Sequence, residues 1–247
     1  MALMKVAVFG AKGRMGREVV RTVQQAPDLQ TGPLLDVGDG LEDLARADVA
    51  VVFSSPDVAL EHALACVRSG VHAVVGTTGW TRENLDIVRA ELRGAPGVGV
   101  LVAPNFSLGA VLLMRFAEQA AEHFESVEVI ELHHPDKVDA PSGTAQHTAQ
   151  LVARAREKAG QGPSPDATAT ELAGARGAQV DGVRVHSVRL RGLVAHQEVL
   201  LGAPGETLTL RHDSFDRACF MPGVLLGIRT VGHRPGLTVG LEHYLPA

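Results

Sequence analysis

Cysteine and aromatic residues are scarce in this chain of 247 residues, which has two Cys, one Trp and one Tyr. Two cysteines as far apart as Cys66 and Cys219 exclude a disulfide framework and a cysteine-rich zinc site. They favour a reducing compartment, so we expect a cytoplasmic protein without a metal centre.

Basic charge and long apolar runs are also missing. Lys and Arg number 23 against 28 Asp and Glu, which gives a formal net charge of −5. Since no basic stripe runs along the chain, we expect no nucleic-acid partner. The opening MALMKVAVFG has too few apolar residues before its glycine for a signal peptide or a membrane span, so we expect no membrane partner.

The first recognisable pattern is a strand, a glycine-rich turn and a helix. Residues 5–9 (KVAVF) are typical of a buried parallel strand, and the turn from Gly10 to Gly16 follows with the spacing G-x-x-G-x-x-G. Small residues here let the pyrophosphate of a dinucleotide approach the backbone at a helix N-terminus. We therefore assign Gly10, Gly13 and their neighbours to a cofactor, and Gly16 to helix–strand packing. The pattern alone also fits an ordinary tight turn.

The acid expected at the end of the second strand is Asp36. It lies about twenty residues after the glycine turn, where dinucleotide-binding proteins place a carboxylate for the ribose hydroxyls. A carboxylate favours NAD over NADP because it repels the 2′-phosphate. Lys12 and Arg14 on the turn offset that repulsion, so we expect use of both nucleotides.

Strands and helices alternate through residue 106, which predicts an α/β fold with a Rossmann-type, doubly wound parallel sheet. Ligands bind such sheets at the carboxyl ends of the strands. The residues there that suit a nicotinamide ribose and carboxamide are Ser54, Ser55, Gly76, Thr77, Thr78, Ala103, Pro104, Asn105 and Phe106. Taken singly, each also fits an ordinary turn.

The remaining chain predicts a second, α+β domain. We expect residues 1–106 to form the dinucleotide-binding domain, residues 107–213 to form a domain with a mixed, largely antiparallel sheet, and residues 214–247 to pack back on the first. Three strand-like runs, VRVHSVRLRG, LVAHQEVLLG and GETLTLRHD, are separated by short glycine turns, so we expect them to be antiparallel. Residues 160–179 are rich in Gly, Pro, Ala and Thr and show little periodicity. A loop of this length predicts a lid or an interface arm. Arg217 is a weaker candidate for a cofactor contact.

Residues 128–145, EVIELHHPDKVDAPSGTA, carry the densest chemistry. The segment starts as a strand, is broken by a proline, and enters a helix after Ser142. His133 and His134 move protons near neutrality, and Lys137 is suited to bind a carboxylate or supply a proton. Hydroxyl and N–H groups at the helix start suit a second carboxylate. The combination predicts a small dianion that receives a proton, and the alternative is a solvated loop with a helix cap.

The motifs GAKGRMG, GTTG, APNFS, EVIELHHPDKVDAPSGTA and RHDSFDR occur in this order. Through them the chain resembles the 4-hydroxy-tetrahydrodipicolinate reductase (dihydrodipicolinate reductase) family over essentially its whole length. The central segment matches the family pattern E-[IV]-x-E-x-H-x-x-x-K-x-D-x-P-S-G-T-A position for position. The resemblance implies NADH or NADPH as cofactor and a homotetramer joined through the sheets of the second domains. The implied reaction is reduction of the dianionic, cyclic (2S,4S)-4-hydroxy-2,3,4,5-tetrahydrodipicolinate to tetrahydrodipicolinate with loss of water, in the diaminopimelate route to lysine.

The resemblance also implies roles for individual residues. The proton donor/acceptor falls on His133, the proton-donating lysine on Lys137, and substrate contacts on His134, Gly143 and Thr144. Cofactor contacts fall on Gly10, Ala11, Lys12, Gly13, Arg14, Met15, Asp36, Gly76, Thr77, Thr78, Ala103, Pro104, Asn105 and Phe106.

Two positions depart from the family. Many members have a basic residue where this chain has Asp136, which lowers the local positive charge. Some members have Arg where this chain has Val37, so a strict preference for NADPH does not follow.

Two other functions stay open at this point. One is an NAD(P)-dependent reductase of the same two-domain build that acts on another small dicarboxylate. The other is a non-catalytic NAD(P)-sensing protein. The pairing of His133 with Lys137 argues against a sensor, which needs no proton donor beside an anion site.

Overall fold

The computed structural model describes residues 2–246. It divides into two compact units, one formed by Met1–Leu108 with Arg217–Ala247 and the other by Gly109–Asp216. Within residues 2–246, none of the helices combines the length and apolar character that a bilayer crossing requires.

The first unit begins with alternating strands and helices. They are β1 (Met4–Phe9), α1 (Arg14–Gln25), β2 (Leu29–Leu35), β3 (Val49–Val52), α2 (Pro56–Arg68), β4 (His72–Val75), α3 (Arg82–Leu92) and β5 (Gly99–Val102). Strands β3 and β5 are buried at every residue and read VAVV and GVLV, the β-branched composition of a sheet covered on both faces. Pro56 opens α2 at a position that needs no N–H donor, and the Thr81 hydroxyl caps α3.

The second unit has its own sheet and helices. They are α4 (Leu108–Ala121), β6 (Ser126–His133), α5 (Gly143–Lys158), β7 (Ala178–Val180), β8 (Val183–Arg189), β9 (Ala195–Ala203) and β10 (Glu206–Ser214). The sheet order is β10-β9-β6-β8-β7. Its apolar core includes Val129, Val185 and Val199 from the sheet and Ala149 and Val152 from α5.

The prediction that β8, β9 and β10 form three successive antiparallel partners is wrong for one pair. β9 and β10 do pair antiparallel, but β6 lies between β8 and β9 and pairs with β8 in parallel. The alternating strand β6 offers hydrogen bonds on both edges, and α5 supplies the crossover that a parallel pair requires. The mixed, largely antiparallel sheet itself is confirmed.

The tail of the chain adds α6 (Met221–Thr230) and β11 (Gly236–Val239) to the first unit. Strand β11 pairs in parallel with β5 and completes a six-stranded sheet of order β11-β5-β4-β3-β1-β2. Every pairing in this sheet is parallel, so the predicted doubly wound fold is confirmed.

Gly16 lets helix α1 approach the glycine turn closely. A Cβ at this position would lie 2.0 Å from the Gly10 carbonyl oxygen and 2.8 Å from the Ala11 Cα, both backbone atoms. We therefore expect Gly16→Ala to lower the free energy of unfolding by about 2 kcal/mol, measured by urea denaturation, because the turn or the helix must move. Gly97→Ala is the matched control, since a Cβ there meets no atom within 4 Å. Equal stability of the two variants would contradict the close approach.

Candidate functional site

The predicted nucleotide-binding residues of the first unit lie at one edge of its sheet. The glycine turn follows β1, Asp36 follows β2, and residues 76–78 and 103–106 follow β4 and β5. Because these strands are parallel, their carboxyl ends meet at the same edge, where ligands bind in such sheets.

The glycine turn is built for close backbone approach. Gly10 has φ 73°, and a Cβ there would lie 2.6 Å from the Phe53 carbonyl oxygen. Helix α1 begins after Gly13, whose backbone takes the cap position with no side-chain cap hydrogen bond. Its first-turn N–H groups therefore face outward as donors, which fits a pyrophosphate.

Asp36 closes the other side of this turn. Both carboxylate oxygens accept from the Lys12 backbone N–H at 3.2 Å, and the Lys12 ammonium lies 3.8 Å from Oδ2. A cleft of about 260 Å³ adjoins the pair and is lined by Ala11, Lys12, Arg17, Val20, Arg21, Gln24, Leu34 and Asp36. Arg17 and Arg21, rather than the predicted Arg14, face this cleft beside Lys12. The four-residue spacing of Arg17 and Arg21 places them on one face of the helix that follows the turn, and this spacing is the sequence feature that indicates their position.

The later loops at this edge offer backbone groups more than side chains. Thr77 is buried, and its hydroxyl donates to the Ser54 carbonyl at 3.0 Å, whereas Thr78 is exposed. The Asn105 amide oxygen accepts from the Ser107 N–H at 2.8 Å, and Phe106 is buried. Contacts from Thr77 and Phe106 to a ligand are therefore left to their backbone groups.

In the second unit, β6 ends on a buried charge cluster. The Glu131 side chain has no exposed surface and accepts a hydrogen bond from His133 Nδ1 at 2.5 Å. Arg189 donates to both carboxylate oxygens at 2.8 Å, and the Ser142 N–H donates to Oε1 at 3.1 Å. Burial alone would raise the pKa of Glu131, but the hydrogen bonds from His133, Arg189 and Ser187 outweigh it and lower the pKa from 4.5 to about 2. The carboxylate thus stabilises the fold above pH 4.5, and that contribution is lost as the pH falls towards 2.

Lys137 lies on the loop after β6. Its ammonium contacts Asp139 Oδ1 at 2.6 Å, and this hydrogen bond holds the pKa of the Asp139 carboxyl below its ordinary value. The Lys137 backbone N–H donates to the His134 carbonyl in a turn. The His134 side chain is exposed. Lys137 therefore keeps two further N–H donors for an anion while it is held by Asp139.

Helix α5 starts beside this loop. The Ser142 hydroxyl accepts from the Ala145 N–H at 3.2 Å and is buried, so it caps the helix. Gly143 is exposed and Thr144 is half-buried. The first turn of α5 thus presents the Gly143 and Thr144 backbone at the positive end of the helix dipole, as the sequence predicted for a carboxylate.

Sequence reasoning did not assign roles to Glu131, Arg189 and Asp139. Glu131 and Asp139 stand at fixed positions of the central pattern, which was the signal for them. Arg189 lies 58 residues from Glu131 along the chain and reaches it through the pairing of β8 with β6, where His133 is opposite Arg189. Among the described residues, no group of three or more His, Cys, Asp or Glu side chains is arranged to hold a metal ion.

The first unit is a parallel sheet with a glycine turn after β1 and an acid after β2. The second unit is α+β and carries His133, Lys137 and a capped helix. Together these features define the class of two-domain dinucleotide-binding proteins. Comparisons with known proteins narrow this class. Residues 4–106 match the family model "Dihydrodipicolinate reductase, N-terminus", and residues 109–245 match "Dihydrodipicolinate reductase, C-terminus". The chain belongs to the dihydrodipicolinate reductase family.

Individual relatives are similar over their full lengths. The 4-hydroxy-tetrahydrodipicolinate reductase of Streptomyces coelicolor is 63% identical over 247 residues, covering 99% of each chain. That of Nocardia farcinica is 61% identical over 244 residues, covering 98% of each. The solved structure of dipicolinate-bound dihydrodipicolinate reductase from Paenisporosarcina sp. TG-14 superposes with a TM-score of 0.88 at 39% identity, covering 99% of this chain and 100% of that one.

Proposed function

We propose that this NAD(P)H-dependent oxidoreductase reduces (2S,4S)-4-hydroxy-2,3,4,5-tetrahydrodipicolinate to tetrahydrodipicolinate with loss of water, in the diaminopimelate route to lysine. The observation that carries the proposal is the full-length match to reductases of this name, together with a strand, loop and helix that hold His133, Lys137 and the start of α5. The dipicolinate in the Paenisporosarcina structure supports a small cyclic dicarboxylate as the substrate.

The second unit would bind this dianion and deliver a proton. Lys137 and the Gly143–Thr144 backbone neutralise the two carboxylates, and His134 adds a contact from the exposed loop. Loss of water removes the hydroxyl and one ring hydrogen, and the ring then takes up a hydride and a proton; His133 and Lys137 move that proton. The reduced nicotinamide, held by the first unit, supplies the hydride. The other cofactor contacts proposed are those implied by the family resemblance, from Gly10 to Met15, at residues 76–78 and at residues 103–106.

We further propose that both nucleotides serve as cofactor. Asp36 accepts from the ribose hydroxyls of NADH and repels the 2′-phosphate of NADPH, while Lys12, Arg17 and Arg21 line the same cleft and attract it. Glu18 forms an ion pair with Arg21, which moderates that attraction.

Asp36→Ser tests this balance. Because the carboxylate also holds the Lys12 backbone, the variant weakens the site for both nucleotides, so the ratio of kcat/KM for NADPH to that for NADH is the quantity to measure. We expect this ratio to rise about tenfold or more, since the charged hydrogen bonds to the ribose are lost and the repulsion is removed. Asp43→Asn, which removes an exposed acid paired with Arg46, should leave the ratio unchanged. An equal loss with both nucleotides would remove Asp36 from cofactor selection.

We also propose a cytoplasmic homotetramer. The sheet of the second unit packs α5 on one face, while Ile130 and Leu200 point to the other and Leu200 is 38% exposed. Glu128, Arg184 and His186 lie on that same face, so a second copy of the sheet would meet both apolar and charged side chains. Light scattering on the purified chain measures the assembly. Cys66 and Cys219 are thiols rather than a disulfide, which supports a reducing compartment.

The test of the proposed function is oxidation of NADH and NADPH, followed by absorbance, with the cyclic substrate generated in situ from pyruvate and aspartate semialdehyde. Rapid oxidation that depends on this substrate is the expected result. Activity only with another small dicarboxylate would point to a related reductase. Tight NADH binding without turnover of any of these compounds would favour a nucleotide sensor.

A further inference from the structure

Glu131 is a buried carboxylate. Ser187 and Gln197 lie directly opposite it on the two neighbouring strands, and Val129, Val185 and Val199, two residues further along the same face, are at most 1% exposed. A charge in such a place is costly unless every lone pair is satisfied. Here at least two donors reach each oxygen, the Ser142 N–H and Arg189 on Oε1 and His133 and Arg189 on Oε2, and Ser187 adds a further hydrogen bond.

The Glu131–His133 contact determines which ring nitrogen of His133 faces outward for chemistry. An ionised carboxylate only accepts hydrogen bonds, so His133 Nδ1, 2.5 Å away, carries the proton. Among the described residues, His133 Nε2 makes no hydrogen bond. Nε2 is therefore the ring nitrogen that is available to exchange a proton with a ligand.

Arg189 connects the same carboxylate to the loop that carries Lys137. One guanidinium nitrogen donates to Glu131 Oε1 at 2.8 Å and to the Asp139 carbonyl oxygen at 2.7 Å. The Asp139 side chain in turn holds the Lys137 ammonium. A single chain of hydrogen bonds thus runs from His133 through Glu131, Arg189 and Asp139 to Lys137.

We propose that Glu131 and Arg189 are positioning residues of the reductase, which fix the tautomer of His133 and the location of Lys137 with one shared carboxylate–guanidinium pair. The inference rests on the proposed function and deepens it. Neither residue touches the substrate: Glu131 acts through His133 and through the Ser142 N–H at the start of α5, and Arg189 acts through Glu131 and the loop backbone.

Glu131→Gln is the sharpest variant because it keeps the size and removes one acceptor. Arg189 donates at the positions of both Oε1 and Oε2, so it does not select between the two orientations of the amide. The Ser142 N–H does, because it needs the amide oxygen at the Oε1 position. The amide NH₂ then faces His133 Nδ1, which favours the tautomer protonated at Nε2. We expect kcat to fall about 100-fold, in line with a misplaced or wrongly protonated catalytic group, while the dissociation constant for NADH stays unchanged.

The control is Glu157→Gln, which alters an exposed carboxylate near the end of α5 in the same unit. Oligomeric state and thermal unfolding are measured for every variant. Arg189→Lys keeps the positive charge but loses the bidentate contact with Glu131. We expect a smaller fall in kcat than in Glu131→Gln. Glu131→Asp, which restores the carboxylate one methylene shorter, should recover part of the activity.

A second readout does not depend on turnover. In the full-length protein labelled with nitrogen-15 histidine, the ring signals assigned by comparison with His133→Asn should show Nδ1 protonated in the parent chain and a shift towards Nε2 in Glu131→Gln. A parent enzyme that is active, with kcat and the His133 tautomer both unaltered in a folded Glu131→Gln or Arg189→Lys, would overturn the inference. A parent chain that oxidises neither nucleotide would remove the proposed function, while the histidine spectrum would still report on Glu131.

Discussion

Replacing Lys137 with alanine is expected to lower kcat by at least about 100-fold, within the range for loss of a positioned acid. The side chain is 21% exposed, and its ammonium forms an ion pair with Asp139 at 2.6 Å. Alanine removes both a cation that would neutralise a substrate carboxylate and a proton source. Steady-state oxidation of NADH at saturating cyclic substrate measures the effect.

Lys137→Arg separates the two roles. Arginine keeps the positive charge but does not release a proton at any working pH. We therefore expect the KM for the cyclic substrate to recover more than kcat does. Lys158→Ala, at the exposed end of α5, serves as the control and should behave as the parent. Near-normal kcat in Lys137→Ala would remove this residue from the mechanism.

Loss of the His133 imidazole is expected to have a similar effect. His133→Ala should lower kcat about 100-fold or more, because the variant removes the Nε2 atom through which the imidazole exchanges a proton with the substrate. The glycine turn and Asp36 belong to the first unit, so we expect the dissociation constant for NADH, measured by fluorescence titration, to remain the same.

Alanine also leaves the buried Glu131 with one donor fewer, which destabilises the fold. His133→Asn avoids much of this, since its amide nitrogen is able to donate where Nδ1 does and yet provides no Nε2. A fall in kcat in His133→Asn without loss of thermal stability would isolate the chemical role. His123→Ala, an exposed histidine of the same unit, is the control. Full activity in both His133 variants would exclude the imidazole as the proton carrier.

Local sequence patterns predicted much of the fold. Apolar β-branched runs predicted β3, β4 and β5, and the helix starts at Pro56, Thr81 and Ser142 followed from capping chemistry that needs only neighbouring residues. The Rossmann-type sheet, the mixed second sheet and the reductase family were all confirmed. Each depends on short-range periodicity or on contiguous motifs, which a single sequence displays directly.

The neighbours within the second sheet were not predictable in the same way. Glycine turns after β8 and β9 suggested that β8, β9 and β10 form consecutive hairpins, but β6 lies between β8 and β9. Pairing of β6 with β8 joins residues more than fifty positions apart, and nothing in either strand alone specifies its partner.

The sequence by itself determined the class of fold, the family and the residue types available for chemistry, because periodicity, caps and the segment from Glu128 to Ala145 are local properties. Only the tertiary structure decided which groups meet. It brings Arg189 across 58 residues to the carboxylate of Glu131, places Arg17 and Arg21 beside Asp36, and commits the Thr77 hydroxyl to the Ser54 carbonyl. The physical reason is that a buried charge or hydroxyl takes its partner from whichever strand lies beside it, and sheet order is set by long-range pairing.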